Sequence, residues 1–205
     1  MTDRPQRIPL CPREEWTDAH REVFAFWGEP NAWEEGSKTN IIMTTGNHPA
    51  LGKVYNQWGR YFLMESTLNP RQLEIVILRV SWLIKSAYEW HNHVGYAINA
   101  GITLEEIAAI RDFPEGDVAF NEEDAALLKA CDEQIGDNRI GDATWATLAG
   151  FFDKRQLMDL VFSIGHYAMT GWAIASFGVP IEGGAMAHWL ELARASTPKL
   201  CTLSA

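Results

Sequence analysis

The chain has 205 residues, of which 47% are hydrophobic and 21% charged, with a formal net charge of -10. This is the balance of a globular protein with one well-filled core, and an acidic surface with a pI near 5.0 excludes nucleic acid as a partner. Cys11, Cys131 and Cys201 are odd in number, widely spaced and without C-x-x-C spacing, which excludes a zinc knuckle or an adjacent redox pair and implies a reducing compartment. No apolar run approaches the roughly 18 residues of a membrane span, and Met1 to Pro12 carries no apolar leader core, so a cytoplasmic location without a membrane partner is expected.

In chain order, the periodicity predicts helices throughout. Glu14 to Trp27 is amphipathic and is closed by Gly28-Glu29-Pro30; His48-Pro49 opens a second helix reaching about Met64. Asn69-Pro70-Arg71-Gln72 reads as an N-cap, a proline at the first helical position and a capping-box partner, starting a strongly apolar helix through Ile84. Lys85-Ser86 breaks it. Ser86 to Glu89 has capping-box spacing and launches a helix to about Ala100, where Gly101 supplies a left-handed C-cap. Thr103 and Glu106 cap a short helix to about Asp112. Asn121 precedes one through Gln134, Asp142 precedes one near Trp145 to Phe151, and a long apolar segment runs from Lys154 to Phe177 before Gly178-Val179-Pro180. A last short helix is predicted near Gly184 to Ala195, ahead of a frayed tail at 196–205. The fold class is all-α, in one domain over 1–205 with its core at about 40–180.

The chemistry concentrates between Asn69 and Gly101. Glu74 lies in the apolar run Leu73-Glu74-Ile75-Val76-Ile77-Leu78, where a carboxylate must reach solvent or find a buried partner. Glu89 and His93 are four apart and share a helix face, with Ser86 and Tyr96 near it and Tyr88 alongside. A carboxylate beside an imidazole is a proton-transfer pair, yet Glu89 is equally placed to complete a capping box with Ser86. His91 points away from His93, which rules out one ion ligated by both and suggests a solvated or interfacial side chain. His166, in an apolar stretch, is either a satisfied core histidine or a pocket group facing Glu89 and His93. His48 reads as a helix-entry residue.

The segment Leu68 to Ser81, then Tyr88-Glu89-Trp90-His91-Asn92-His93-Val94 and Ala100 to Ile107, resembles the carboxymuconolactone decarboxylase family within the alkylhydroperoxidase D-like superfamily. Asn47-His48-Pro49-Ala50-Leu51 and Phe177-Gly178-Val179-Pro180 extend the likeness. The resemblance implies an all-α helical bundle, assembly as a homotrimer or homohexamer, and an active site near subunit contacts. It places Glu74 at the glutamate of the peroxidase branch's proton relay and His93 at that branch's last histidine. Ser86 and Glu89 stand where that branch has its two redox cysteines, which argues against thiol-peroxidase chemistry. The Glu-x-x-x-His arrangement instead resembles the lactone decarboxylase branch. That branch implies acid–base chemistry with no cofactor and no metal, on a small-molecule substrate from aromatic-compound breakdown. Expected catalytic residues are Glu74, Glu89 and His93, with Ser86, Tyr88, His91, Tyr96 and His166 in support. An antioxidant oxidoreductase and a non-catalytic small-ligand binder on the same scaffold are the rival readings. Between residues 72 and 100 the only cations are Arg79 and Lys85, few for a doubly charged lactone.

Overall fold

Side-chain caps start most of the helices in the computed structural model, which describes residues 5–116 and 118–183. These residues fall into two compact units, one of 5–65 with 173–183 and the other of 66–172. Every helix and strand assignment among the described residues is helical, with no strand.

In the first unit a 3-10 turn at Arg13–Glu15 precedes α1 (Asp18–Phe24), α2 (Ala32–Glu35), α3 (Asn40–Thr45) and α4 (Pro49–Arg60), which runs into a π turn at Tyr61–Glu65. The helix expected over Glu14–Trp27 is therefore shorter than its apolar pattern. Thr17 is its N-cap, and the Thr17 N–H donates to His20 Nδ1 at 3.1 Å. An imidazole thus does the work of the usual Glu or Gln, which hides the capping box from a motif reading. The sequence pattern also passed over α2 and α3, each six residues or fewer and too short to show a helical period. His48 is the expected entry residue: its Nδ1 accepts from the Leu51 N–H at 3.3 Å, with Pro49 at the first helical position.

The second unit holds α5 (Pro70–Leu83), α6 (Ala87–Asn99), α7 (Leu104–Asp112), α8 (Glu122–Asp137), α9 (Asp142–Phe151) and α10 (Lys154–Phe177) as far as Trp172. Asn69 and Gln72 close a reciprocal box at the start of α5, and Thr103 and Glu106 do the same for α7. The helix predicted near Gly184 to Ala195 and the 196–205 tail lie outside the described residues. Two contacts fix α10 on this unit. Asp159 accepts from the Thr67 N–H at 2.7 Å and the Thr67 hydroxyl at 2.6 Å. Gly171 sits so close to the start of α6 that a Cβ there would collide with Ile84 Cδ1 and lie 3.0 Å from Ser86 Cβ.

Helix α5 is the centre of the unit: Gln72 through Ser81 are all buried. Arg79, on this helix, is not a pocket cation. Its Nε and Nη2 grip the Asp132 carboxylate of α8 at 2.6 and 2.9 Å; Nη1 donates to the carbonyls of Ile110 and Arg111, and Nη2 also donates to that of Phe113. All five donors are used, and the carbonyls left open at the end of α7 are satisfied by them. Replacing Arg79 with Met should therefore cost about 3 kcal/mol or more in urea unfolding, because Asp132 and three carbonyls lose their partner together. A loss below about 1 kcal/mol would show that the clamp is dispensable.

Candidate active site

The geometry of the site begins with how α5 ends. Lys85 adopts a left-handed conformation with φ 59°, its N–H donates to Trp82 O at 3.1 Å, and the Ser86 N–H donates to Ser81 O at 2.8 Å. This is a Schellman turn built on lysine instead of glycine. It has a chemical consequence. The Ser86 N–H is the donor that a capping-box glutamate would accept from, and it is already taken. Ser86 still caps α6, its hydroxyl accepting from the Glu89 N–H at 3.4 Å, but only one half of the box forms. The Glu89 carboxylate turns instead to the next turn of its own helix.

There it meets His93. Nδ1 of the imidazole is 3.0 Å from Glu74 Oε2 and Nε2 is 3.6 Å from Glu89 Oε2, so each ring nitrogen faces a different carboxylate. The residues are 5%, 4% and 8% exposed for Glu74, Glu89 and His93, so the attraction between them is shielded from water. Burial alone would push the His93 pKa down; the charge and hydrogen bond of Glu74, with the charge of Glu89, outweigh it and hold the imidazole above its ordinary value. The Nδ1 contact is a hydrogen bond that orients the ring. The Nε2 contact is longer than a hydrogen bond, and it is the edge at which a proton can pass.

The supporting residues divide. Tyr96 lies with its ring 5.4 Å from that of His93 and is 56% exposed, at the boundary between the site and solvent. His166 is buried, and burial, with the nearby charge of His93, pushes it down to about 4, so it is a neutral imidazole. Its ring packs edge-on to Tyr167 at 5.0 Å, and Tyr167 in turn packs edge-on to His93 at 5.2 Å. Tyr167 is thus the site residue that the sequence reading missed, since only the register of α10 against α6 reveals it. Tyr88 is buried, and Ser86 acts as a cap. His91 is 2% exposed, which corrects the solvated or interfacial side chain expected of it: α6 buries residues on both sides of the Glu89–His93 face. Among the described residues no three His, Cys, Asp or Glu side chains converge as a metal-ligand set. Cys11 and Cys131 are both buried and burial pushes both thiols up; Cys201 lies outside the described residues. A cleft of about 340 Å³ opens elsewhere on the same unit, lined by Arg71, Gln72, Glu122, Glu123 and Phe151 among others, and it holds no imidazole.

The two histidines have opposite linkage to stability. His93, raised, contributes stability that is complete below its ordinary value of 6.5 and is lost as pH rises through its folded value. His166, lowered, contributes stability that is lost as pH falls from 6.5 through about 4. Imidazole NMR should accordingly show one histidine titrating above 6.5 and one near 4, and Glu74→Gln should bring the first down while leaving the second below 6.5. A His93 resonance titrating at or below 6.5 in the unmodified protein would contradict this arrangement.

Comparisons with known proteins agree on the fold. Residues 49–132 match the carboxymuconolactone decarboxylase family. No curated protein sequence matches the chain. Among solved structures, the debrominase Bmp8, crystallised as a variant with 2,3,4-tribromopyrrole, superposes with a TM-score of 0.71 at 14% identity over 93% of this chain and 98% of its own. The alkylhydroperoxidase AhpD core of a peroxidase-related protein from Ralstonia eutropha JMP134 gives 0.70 at 12% identity, covering 86% of this chain and 93% of that one. A peroxidase-related protein from Silicibacter sp. TM1040 gives 0.70 at 14% identity, covering 88% and 94%. At such identities the structural likeness speaks for the fold, while the family match falls on the segment that carries Glu74, Glu89 and His93. Residues 49–132 thus carry the likeness to the carboxymuconolactone decarboxylase family, and the chain shares the helical fold of the AhpD-like structures.

Proposed function

We propose that the protein is a cofactor-independent acid–base enzyme that moves protons on a small organic acid, lactone or enolisable ketone, of the kind met in aromatic-compound breakdown. The observation that carries this reading is the buried imidazole held between two carboxylates, one at each nitrogen. Glu74 fixes the ring and balances its charge; Glu89 and His93 Nε2 are the pair that exchanges a proton with substrate. In an isomerisation the base takes a proton from a carbon next to a carbonyl, the electron pair moves onto the oxygen, and the acid returns a proton at another carbon. In a decarboxylation the C–C bond breaks, carbon dioxide leaves, and the electron pair left behind is quenched by a proton from the imidazolium. The family resemblance favours the lyase. The peroxidase reading is disfavoured because Ser86 and Glu89 occupy the redox-cysteine positions, and the thiols of Cys11 and Cys131 are buried and pushed up.

Deuterium exchange tests the pair without knowing the substrate. Acetophenone and γ-butyrolactone incubated in deuterium oxide with the protein should exchange the hydrogens on the carbon next to the carbonyl faster than in buffer. Glu89→Gln and His93→Gln should each cut that acceleration by a factor on the order of 100, with the double variant losing little more than either. Glu89→Gln keeps the shape of its carboxylate and should leave folding nearly unaltered. His93→Gln removes the partner of buried Glu74, so its exchange rate is compared only after circular dichroism has shown the variant folded. Exchange at buffer rate, or exchange indifferent to both changes, would reject the reading.

We also propose that the chain assembles as a homotrimer or homohexamer. Support comes from α10, where Met158, Phe162, Met169 and Trp172 recur at coiled-coil spacing and are each about half exposed or more. Sedimentation at micromolar concentration should show a mass that is a multiple of 23.1 kDa, and a monomer alone would count against it.

A further inference from the structure

Helix α4 is amphipathic in the wrong sense for a lone chain. The residues it buries are Gly52, Asn56 and Gly59, small or polar, while Leu51, Val54 and Trp58 are 51%, 61% and 40% exposed. A surface helix ordinarily does the opposite. Contacts within the first unit enforce the inversion. A Cβ on Gly52 would lie 2.9 Å from Val23 Cγ1 and 3.1 Å from Thr45 O, so a side chain there would hold the helix off. Asn56 is fully buried and bonded at both ends of its amide: Oδ1 accepts from Trp27 Nε1 at 3.2 Å, and Nδ2 donates to Val23 O at 2.9 Å. The helix cannot roll to hide its apolar side without breaking these bonds.

Spaced three and four apart, Leu51, Val54 and Trp58 line one outward strip. Trp58 is held in place, its ring stacked on Tyr61 at 6.3 Å and 17° and set edge-on to the buried Phe62 at 5.0 Å. A tryptophan that is exposed and already fixed has little side-chain entropy to lose on association, which is the character of a binding anchor.

The charges around the strip select its partner. Lys53 is 3.8 Å from Glu22 and Arg60 is 3.3 Å from Glu65, with all four side chains more than half exposed, so this face is neutral. On a chain of net charge -10, a neutral face holds no attraction for an anionic membrane surface. It is complementary to itself. Two α4 helices paired antiparallel about a two-fold axis near Gly59 bring positions equally far on either side of that residue face to face. Lys53 then meets Glu65 of the partner subunit, and Arg60 meets Trp58 of the partner subunit. Exposed ion pairs are weak enough to exchange partners in this way, and an arginine over an indole adds attraction.

We infer that the outward face of α4 is a two-fold interface with a second copy of this chain. It lies on a different unit from the α10 strip, and a two-fold contact added to a three-fold one closes an assembly of six. The choice of hexamer over trimer rests on the α10 reading; the α4 contact does not. One helix pair is small beside the roughly 800 Å² per partner of a standard interface, but two trimers face to face form three such pairs together.

Sedimentation velocity of the full chain at micromolar concentration should show six times 23.1 kDa. Val54→Glu and Leu51→Glu, each at an exposed position, should leave circular dichroism unchanged, yield trimers and raise the hexamer dissociation constant at least about tenfold. Carbodiimide treatment of mixed labelled and unlabelled chains should join Lys53 of one copy to Glu65 of another, giving a mixed-isotope product. A hexamer that neither substitution weakens, or one that gives no mixed-isotope Lys53 link, would overturn the inference. An unmodified trimer or monomer would do so too, and its cosedimentation with phosphatidylcholine vesicles would assign the face to a membrane surface instead. The two assembly readings fail separately: a dimer dispersed by Val54→Glu supports α4 and removes the trimer, while an unmodified trimer keeps α10 and removes α4.

Discussion

A helix buried along ten consecutive residues cannot carry an uncompensated charge, and α5 carries two, Glu74 and Arg79. The rest of the larger unit is arranged around their partners. Arg79 draws in Asp132 from α8 and the carbonyls at the end of α7, and Glu74 draws in His93 from α6. The two charges lie about 140° apart around the helix, so one side of α5 is locked to α7 and α8 and another is given to the site. The same electrostatic cost therefore produces an anchor where every donor is satisfied and a carboxylate–imidazole cluster where one contact is left slack.

That slack comes from backbone bookkeeping at a single peptide. The Schellman turn at Lys85 consumes the Ser86 N–H, and so denies Glu89 the local role that its position offers. A carboxylate with no cap to close is then available to the imidazole four residues on. Placing a lysine in the left-handed region costs on the order of 1 kcal/mol, and that strain sits immediately beside the site.

Much of this was legible beforehand, for identifiable reasons. Asn69, Ser86, Thr103 and Asn121 announced the starts of α5 to α8 because capping is local chemistry, and Gly101 announced the end of α6 because its φ of 85° suits glycine. Glu74 could be suspected from its apolar neighbours, and Glu89 with His93 from helical spacing. The choice between cap and proton partner for Glu89 was closed to sequence, because it turns on which acceptor the Ser86 N–H finds. The burial of His91, the Tyr167–His93 contact and the purely structural duty of Arg79 were equally hidden: each depends on the register between helices far apart in the chain. In the first unit, α2 and α3 were missed because four to six residues hold no full helical period.

The short corner between α5 and α6 bears also on the order of folding. Glu74, Glu89 and His93 lie within one helical hairpin, whose turn is closed by bonds among Val80, Ser81, Trp82 and Ser86 and their neighbours. Bringing them together closes only a small loop, so the entropic barrier to assembling the three side chains is low compared with that of joining α10 to α6. The carboxylate–imidazole cluster thus belongs to a local folding unit that can condense early, and α10 covers it only when a far longer loop has closed.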